Sequence, residues 1–265
     1  MNPRWGMVID LRRCVGCQTC TIACKQEHGL PAGTQWRFVA DCEVGEYPDV
    51  RRVFLPMQCM HCAEPPCVPV CPTGASRRRA DGIVWVEYDA CVGCGYCAVA
   101  CPYHARHLVH EADGYFAVPT AAERATARPA RHDVMTKCTF CQERVDAGRA
   151  AGLVPGVDAD ATPMCAVACI AGAIVFGDLN DPASRVRALI AVTNAAPLAP
   201  ECGTEPSVYY VTGDGPPPDP EPRRSAPAAV SCPVPRSSRS RAEHGFDRPA
   251  VEDPAVVWLR ALGGG

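Results

Sequence analysis

The sequence predicts an α+β fold in which short strands and short helices, joined by long loops, recur as duplicated units. Three observations predict it. Sixteen of the nineteen cysteines fall into four groups of four: Cys14, Cys17, Cys20, Cys24; Cys59, Cys62, Cys67, Cys71; Cys91, Cys94, Cys97, Cys101; and Cys138, Cys141, Cys165, Cys169. Ile9–Cys24 aligns with Val86–Cys101, sharing every cysteine, the pairs Val15-Gly16 and Val92-Gly93, and Ala23 with Ala100; such internal repetition is the mark of duplication. The apolar runs are short, and none reaches the 18 or more residues needed to span a bilayer.

The first and third groups have the C-x2-C-x2-C-x3-C spacing of bacterial ferredoxins. A cubane [4Fe–4S] cluster takes one thiolate at each of four irons. A short C-x2-C-x2-C loop wraps three corners, and the fourth cysteine, a helical turn later, points towards a neighbouring cluster. Four groups therefore predict four [4Fe–4S] clusters in bacterial-ferredoxin-like units. Disulfides would not explain the repeated spacing, and an all-cysteine zinc site needs two pairs rather than a third and fourth cysteine on each loop. Attached haem requires C-x-x-C-H, and no C-x-x-C here is followed by His; His61 lies inside Cys59–Cys62.

The elements follow in order. Met7–Asp10 alternates and reads as a strand leading into the first group. Helices are expected after the third cysteine of each loop, carrying Thr21–Lys25 and Ala98–Cys101. Arg79-Ala80-Asp81-Gly82 followed by Ile83–Tyr88 reads as a hairpin with Asp-Gly in the turn. Pro72 and Pro102 stop the chain after final cysteines, where Lys25 and Ile170 stand in the first and fourth groups. Glycines in the loops, and Gly74-Ala75 matched by Gly172-Ala173, let backbone N–H groups approach cluster sulfur. Between Cys141 and Cys165 lie 23 residues, opening with a helix over Gln142–Ala151 and turning through Gly152, Pro155 and Gly156. Ala173–Phe176 reads as a closing strand. From Gly213 onward Pro, Ser and Arg dominate, which predicts a disordered tail; Val256–Leu262 reads equally as a short helix or as no element.

A net charge of −3 and a pI of about 6.2 argue against nucleic-acid binding. Arg77-Arg78-Arg79 reads as a solvated hairpin edge. The N-terminus has no apolar leader core and no twin-arginine signal, so the chain is expected in the cytoplasm, or exported with a signal-bearing partner. No phosphate-cradling glycine loop or hydrolytic triad is present, so no catalytic residue is expected. Cys42, Cys202 and Cys232 fall outside the groups and read as non-ligands; His104 and His107 read as surface residues with a lesser option of tuning a potential.

The four-group pattern, with QCMHCAEPPCVPVCPTGA at 58–75 and CVGCGYCAVACPYHAR at 91–106, resembles the iron–sulfur (beta) subunits of DMSO-reductase-superfamily molybdopterin oxidoreductases. KCTFCQERVDAG at 137–148, PGVDADATPMC at 155–165, FGDLNDP at 176–182 and the Glu201–Tyr210 stretch resemble the phenylacetyl-CoA:acceptor oxidoreductase, sulfite dehydrogenase and polysulfide–tetrathionate reductase branch. The resemblance implies cross-paired ligation: Cys14, Cys17, Cys20 with Cys169; Cys138, Cys141, Cys165 with Cys24; Cys59, Cys62, Cys67 with Cys101; and Cys91, Cys94, Cys97 with Cys71. It implies an outer unit (1–55 and 113–180), an inner unit (56–112), an extension (181–212) packing on the core or a partner, and a tail (213–265). Nitrate reductase relatives carry tryptophan where Cys94 stands, so all four clusters here are expected to be [4Fe–4S]. The implied function is electron transfer from a molybdopterin (Mo or W) catalytic subunit near the Cys14 set to a quinone-reactive membrane subunit near the Cys91 set, or the reverse. A free polyferredoxin or hydrogenase-linked carrier is the alternative, and an iron–sulfur or zinc regulator a more distant one.

Overall fold

Trp5–Ile9 are buried almost completely, as a strand covered on both faces must be. They form β1 (Trp5–Asp10) at the heart of a four-stranded sheet in a computed structural model that describes residues 2–110, 115–116 and 118–212. The chain continues through α1 (Thr19–His28), β2 (Phe38–Val44), β3 (Arg51–Met57), β4 (Ser76–Arg78), β5 (Val84–Val86), α2 (Tyr96–Val99), β6 (His107–Val109) and α3 (Ala121–Thr126). It ends through β7 (Val134–Thr136), α4 (Gln142–Ala150), α5 (Met164–Val167), β8 (Ile174–Asp178), α6 (Arg185–Val192), β9 (Ala196–Pro197) and β10 (Val208–Val211).

The sheet order is β8-β1-β10-β9. β8 runs antiparallel to β1 with Met7 opposite Phe176, and β10 runs parallel with Met7 opposite Val208. Because side chains alternate, Trp5, Met7 and Ile9 face one way, into a core with Phe176, Tyr210 and many of the cysteines. Val8 faces the other way and joins Val211, Leu179 and Val186 under α6. The Ser184 hydroxyl starts α6 by accepting from the Arg187 N–H. The strand expected at Met7–Asp10 and the closing strand at Ala173–Phe176 are β1 and β8, each shifted by one or two residues.

β4 and β5 form the expected hairpin, with Arg77 opposite Trp85. Arg77 and Arg78 are exposed, but Arg79 is not a solvated member of the run. Its guanidinium meets both Asp146 oxygens on α4 at 2.7 and 2.8 Å, and also Asp81 at 2.8 Å. That fork ties the hairpin to α4, and planar bidentate pairing is what arginine does well.

Two expectations need correction. The short helices do not follow the third cysteines but contain them: Cys20 lies in α1, Cys97 in α2 and Cys165 in α5. A residue in left-handed conformation (Gln18 at φ 61°, Gly95 at φ 78°) caps α1 and α2, turning the chain into the helix before the third cysteine arrives. The β2–β3 hairpin, paired from Phe38–Met57 to Val44–Arg51, has no counterpart in the sequence reading. In β2 Asp41 and Glu43 alternate with Ala40, Cys42 and Val44, but in β3 the pair Arg51-Arg52 and Pro56 obscure any such pattern. The tail and Val256–Leu262 lie outside the described residues.

Gly148 generates a prediction. It sits inside α4, where alanine is the better helix former by about 1 kcal/mol, yet a Cβ there would stand 2.4 Å from the Ala161 Cβ. Overpacking of that kind costs about 1–3 kcal/mol. Gly148→Ala is therefore expected to lower the thermal midpoint of the purified protein; a raised midpoint would show that α4 can part from residues 159–161 without cost.

Candidate metal centres

The loop after β1 is set by charge pairing. The Asp10 carboxylate takes the Arg12 guanidinium at 2.8 and 2.9 Å, which holds its pKa below the ordinary value and turns the chain towards Cys14. Gly16 then adopts φ 68°, and its counterpart Gly93 adopts φ 66°. A Cβ at Gly16 would strike the Phe54 ring at 2.4 Å, and one at Gly93 would strike the Asp133 carbonyl at 2.4 Å. Both positions are thus closed to side chains by contact as well as by conformation.

Two cavities show how the cysteines group. Cys14, Cys17 and Cys20 share one with Cys169, from the far end of the chain, against Val39 and Ile174. Cys59, Cys62 and Cys67 share the other with Cys101, against Tyr103 and Arg106. Each cavity joins three cysteines of one motif to the last cysteine of another. Cys138, Cys141, Cys165 and Cys24 are buried, and the electrostatic influence of Cys138 and Cys165 reaches Cys24. Cys97, on α2, lies near Cys91, while Cys71 sits at the foot of β4 with its sulfur accepting from the Ser76 N–H at 3.4 Å. Other sulfurs also accept backbone N–H groups: Cys91 from Met135, Cys138 from Phe140, and Cys169 from Ala173 at 3.2 Å. Such bonds stabilise negative charge on sulfur.

The chemistry of this donor set suits iron–sulfur clusters. Burial, with neighbouring cysteines adding to it, pushes the Cys62 thiol up to about 12; burial is also the largest cause for Cys138, at about 12, and Cys101, at about 11. Such sulfurs carry negative charge only when iron takes it up, and a coordinating thiol is deprotonated outright. Among the described residues no three His, Cys, Asp or Glu side chains close round a point that one ion could occupy. A cubane instead needs one thiolate at each of four separate irons.

Several residues beside the sulfurs carried no legible signal. His28, buried on α1, places Nε2 3.2 Å from the Cys141 sulfur. Burial, with Arg131 nearby, pulls its pKa down to about 4, so it stands neutral. His61 is fully buried, accepts the Val84 N–H on Nδ1 at 3.1 Å, and stacks on Phe140 with ring centres 3.8 Å apart. Arg37, Arg106 and Lys137 are buried cations. Lys137 donates to the carbonyls of Val84 and Cys138. His104 is exposed, whereas His107 is half-buried, and burial draws its pKa down to about 4. Cys42 is buried in β2, Cys202 is exposed, and Cys232 lies outside the described residues.

Comparison with known proteins gives the class first. Residues 50–126 match the family model described as a 4Fe-4S dicluster domain. The chain is 39% identical over 225 residues to the B subunit of selenate reductase from Mesobacillus selenatarsenatis, covering 79% of this chain and 72% of that one. It is 39% identical over 222 residues to the B subunit of sulfite dehydrogenase from Allochromatium vinosum, covering 78% and 82%. It is 37% identical over 234 residues to the menaquinone reductase iron–sulfur cluster-binding subunit of Nitratidesulfovibrio vulgaris, covering 79% and 89%. The chain belongs to the family of iron–sulfur B subunits of molybdopterin oxidoreductases, and its cofactors are [4Fe–4S] clusters.

Proposed function

We propose that the chain carries four [4Fe–4S] centres and relays electrons between a molybdopterin catalytic subunit and a quinone-reactive membrane subunit. The observation that carries the reading is the two cavities, each closed by three cysteines of one motif and the last of another. When bound, the clusters supply reversible one-electron exchange. The protein residues fix their spacing, exclude water and set the charge around them.

The distribution of exposure supports two docking ends. Of the sixteen motif cysteines only Cys17 and Cys94 are exposed, and these are the matching middle cysteines of the first and third motifs. Val15, Ile22 and Ile170 lie exposed around the first end; Val92, Tyr96 and Val99 lie exposed around the other. Apolar side chains left in water around a redox ligand suit a partner surface. We assign the Cys17 end to the catalytic subunit and the Cys94 end to the membrane subunit. The His61–Phe140 stack joins the Cys59–Cys62 loop to the Cys138–Cys141 loop. Among the described residues no helix is long and apolar enough to cross a membrane, so association with the bilayer falls to the partner. The name of the menaquinone-reducing relative supports a quinone at that end.

Cross-pairing is the testable core. In the complex purified anaerobically with its partners, Cys101→Ser is expected to remove the centre held by Cys59, Cys62 and Cys67. The centre of its own motif, held by Cys91, Cys94 and Cys97, should survive. Iron should fall by up to about four atoms per chain from about sixteen, with one electron-paramagnetic signal lost or converted. Loss of the Cys91 set instead would show that each motif closes on itself. Absence of stoichiometric molybdenum or tungsten from the intact complex would count against the catalytic partner.

A further inference from the structure

Arg37 and Arg106 are buried to 1% and 6% exposure. Among the described residues neither has a carboxylate partner. Arginine cannot shed its charge, and an unpaired charge in a protein interior is severely unfavourable, so something else must compensate both. Arg37 donates from Nη1 to Gln58 Oε1 at 2.9 Å and stands 3.6 Å from the Cys165 sulfur. The same guanidinium faces Cys20. Arg106 donates from Nη2 to the Cys67 sulfur at 2.9 Å and faces Cys97 as well. Nε and Nη2 of Arg37, and Nη1 of Arg106, are buried donors with no acceptor. Arg106 lines the cavity shared by Cys59, Cys62, Cys67 and Cys101.

Cys20 and Cys165 belong to the first and fourth motifs, Cys67 and Cys97 to the second and third. Each arginine points an N–H group at the sulfur of one of its pair and lies within electrostatic reach of the other. Arg37 also acts on Cys14 and Cys24, and Arg106 on Cys59, so each influence stays within one pair of motifs. Lys137, the remaining buried cation of the three, spends its N–H groups on carbonyls instead.

We propose that each pair of centres is organised round one buried arginine, Arg37 for the outer pair and Arg106 for the inner, whose fixed charge raises the reduction potentials of both members of its pair. The inference rests on the four-centre reading. Reduction adds one negative charge to a centre. A cation held against its ligands in a dry interior therefore favours the reduced form more than the oxidised one. Since one guanidinium contacts a ligand of one centre and acts electrostatically on ligands of the other, removing its charge moves two potentials together and leaves the other two nearly where they were. A residue that merely filled space would not produce that pairwise pattern.

The test is a redox titration followed by electron paramagnetic resonance, with iron analysis, on the intact complex purified anaerobically from its host. Arg37→Gln is expected to lower two potentials, each by about tenfold or more in the reduced-to-oxidised ratio, or ~59 mV for one electron. Arg106→Gln should lower the complementary two, and Arg37→Lys and Arg106→Lys should stay near the wild type. Full iron with all potentials unmoved, or with only one moved, overturns the inference. If the Gln variants lose iron, the Lys variants decide: full iron with potentials near wild type upholds the role of charge. Loss of the same two centres from a Lys variant overturns it in favour of guanidinium shape. Fewer than about sixteen irons in the wild type would sink the four-centre reading and the inference with it, whereas full iron with unmoved potentials sinks the inference alone.

Discussion

Sulfur packed where hydrocarbon would otherwise stand is the constraint on which this structure depends. Cys20, Cys24, Cys59, Cys62, Cys101, Cys138 and Cys165 belong to the same buried cluster as Met7, Ile9, Trp36 and Phe176. Burial raises the pKa of the Cys24, Cys62, Cys101, Cys138 and Cys165 thiols, and the seven are brought together from segments far apart in the chain. Cys14 meets Cys169, and Cys59 meets Cys101, across cavities that chain connectivity alone would not close. Under the proposed cross-paired ligation, iron would tie together segments from opposite ends of the chain.

That coupling explains the local elements. α2 and α5 have four residues each, far below the length at which a helix holds itself in water. They exist to present the third cysteine and are held by what surrounds them. The left-handed turns at Gln18, Gly95, His61 and Phe140 serve the same end, bending each loop round its sulfurs so that backbone N–H groups point inward. The β1–β8–β10 sheet is the conventional part of the fold. It anchors the entry to the first motif through Asp10 and, through β8, the exit from the fourth.

Charge is the second organising element. Arg37, Arg106 and Lys137 are buried among the cysteines without carboxylate partners among the described residues, as the proposed thiolate ligands would require. Elsewhere the charges are conventional, as where Arg79 forks onto Asp146 and Asp81. The contrast is between an arginine that fastens two elements through carboxylates and arginines whose buried neighbours are sulfurs.

The kind of cofactor was legible from cysteine spacing, and the family match agrees, because short C-x2-C-x2-C loops are a local feature of the sequence. The β4–β5 hairpin was legible because Asp81-Gly82 announces its turn, and α4 because Gln142–Ala150 lies between a cysteine pair and a run of glycine and proline. The β2–β3 hairpin was harder to read, because only β2 alternates, over residues 40–44, while β3 opens on two arginines and carries a proline. The sequence could not rank Arg37 above Arg77, since burial is a property of position and not of residue type. Nor could it place His28 on the Cys141 sulfur, 113 residues away in the chain. Local spacing determined which atoms could bind iron; long-range packing decided which sulfurs share a cavity and which cations answer them, because both depend on contacts between segments that stand far apart in the sequence.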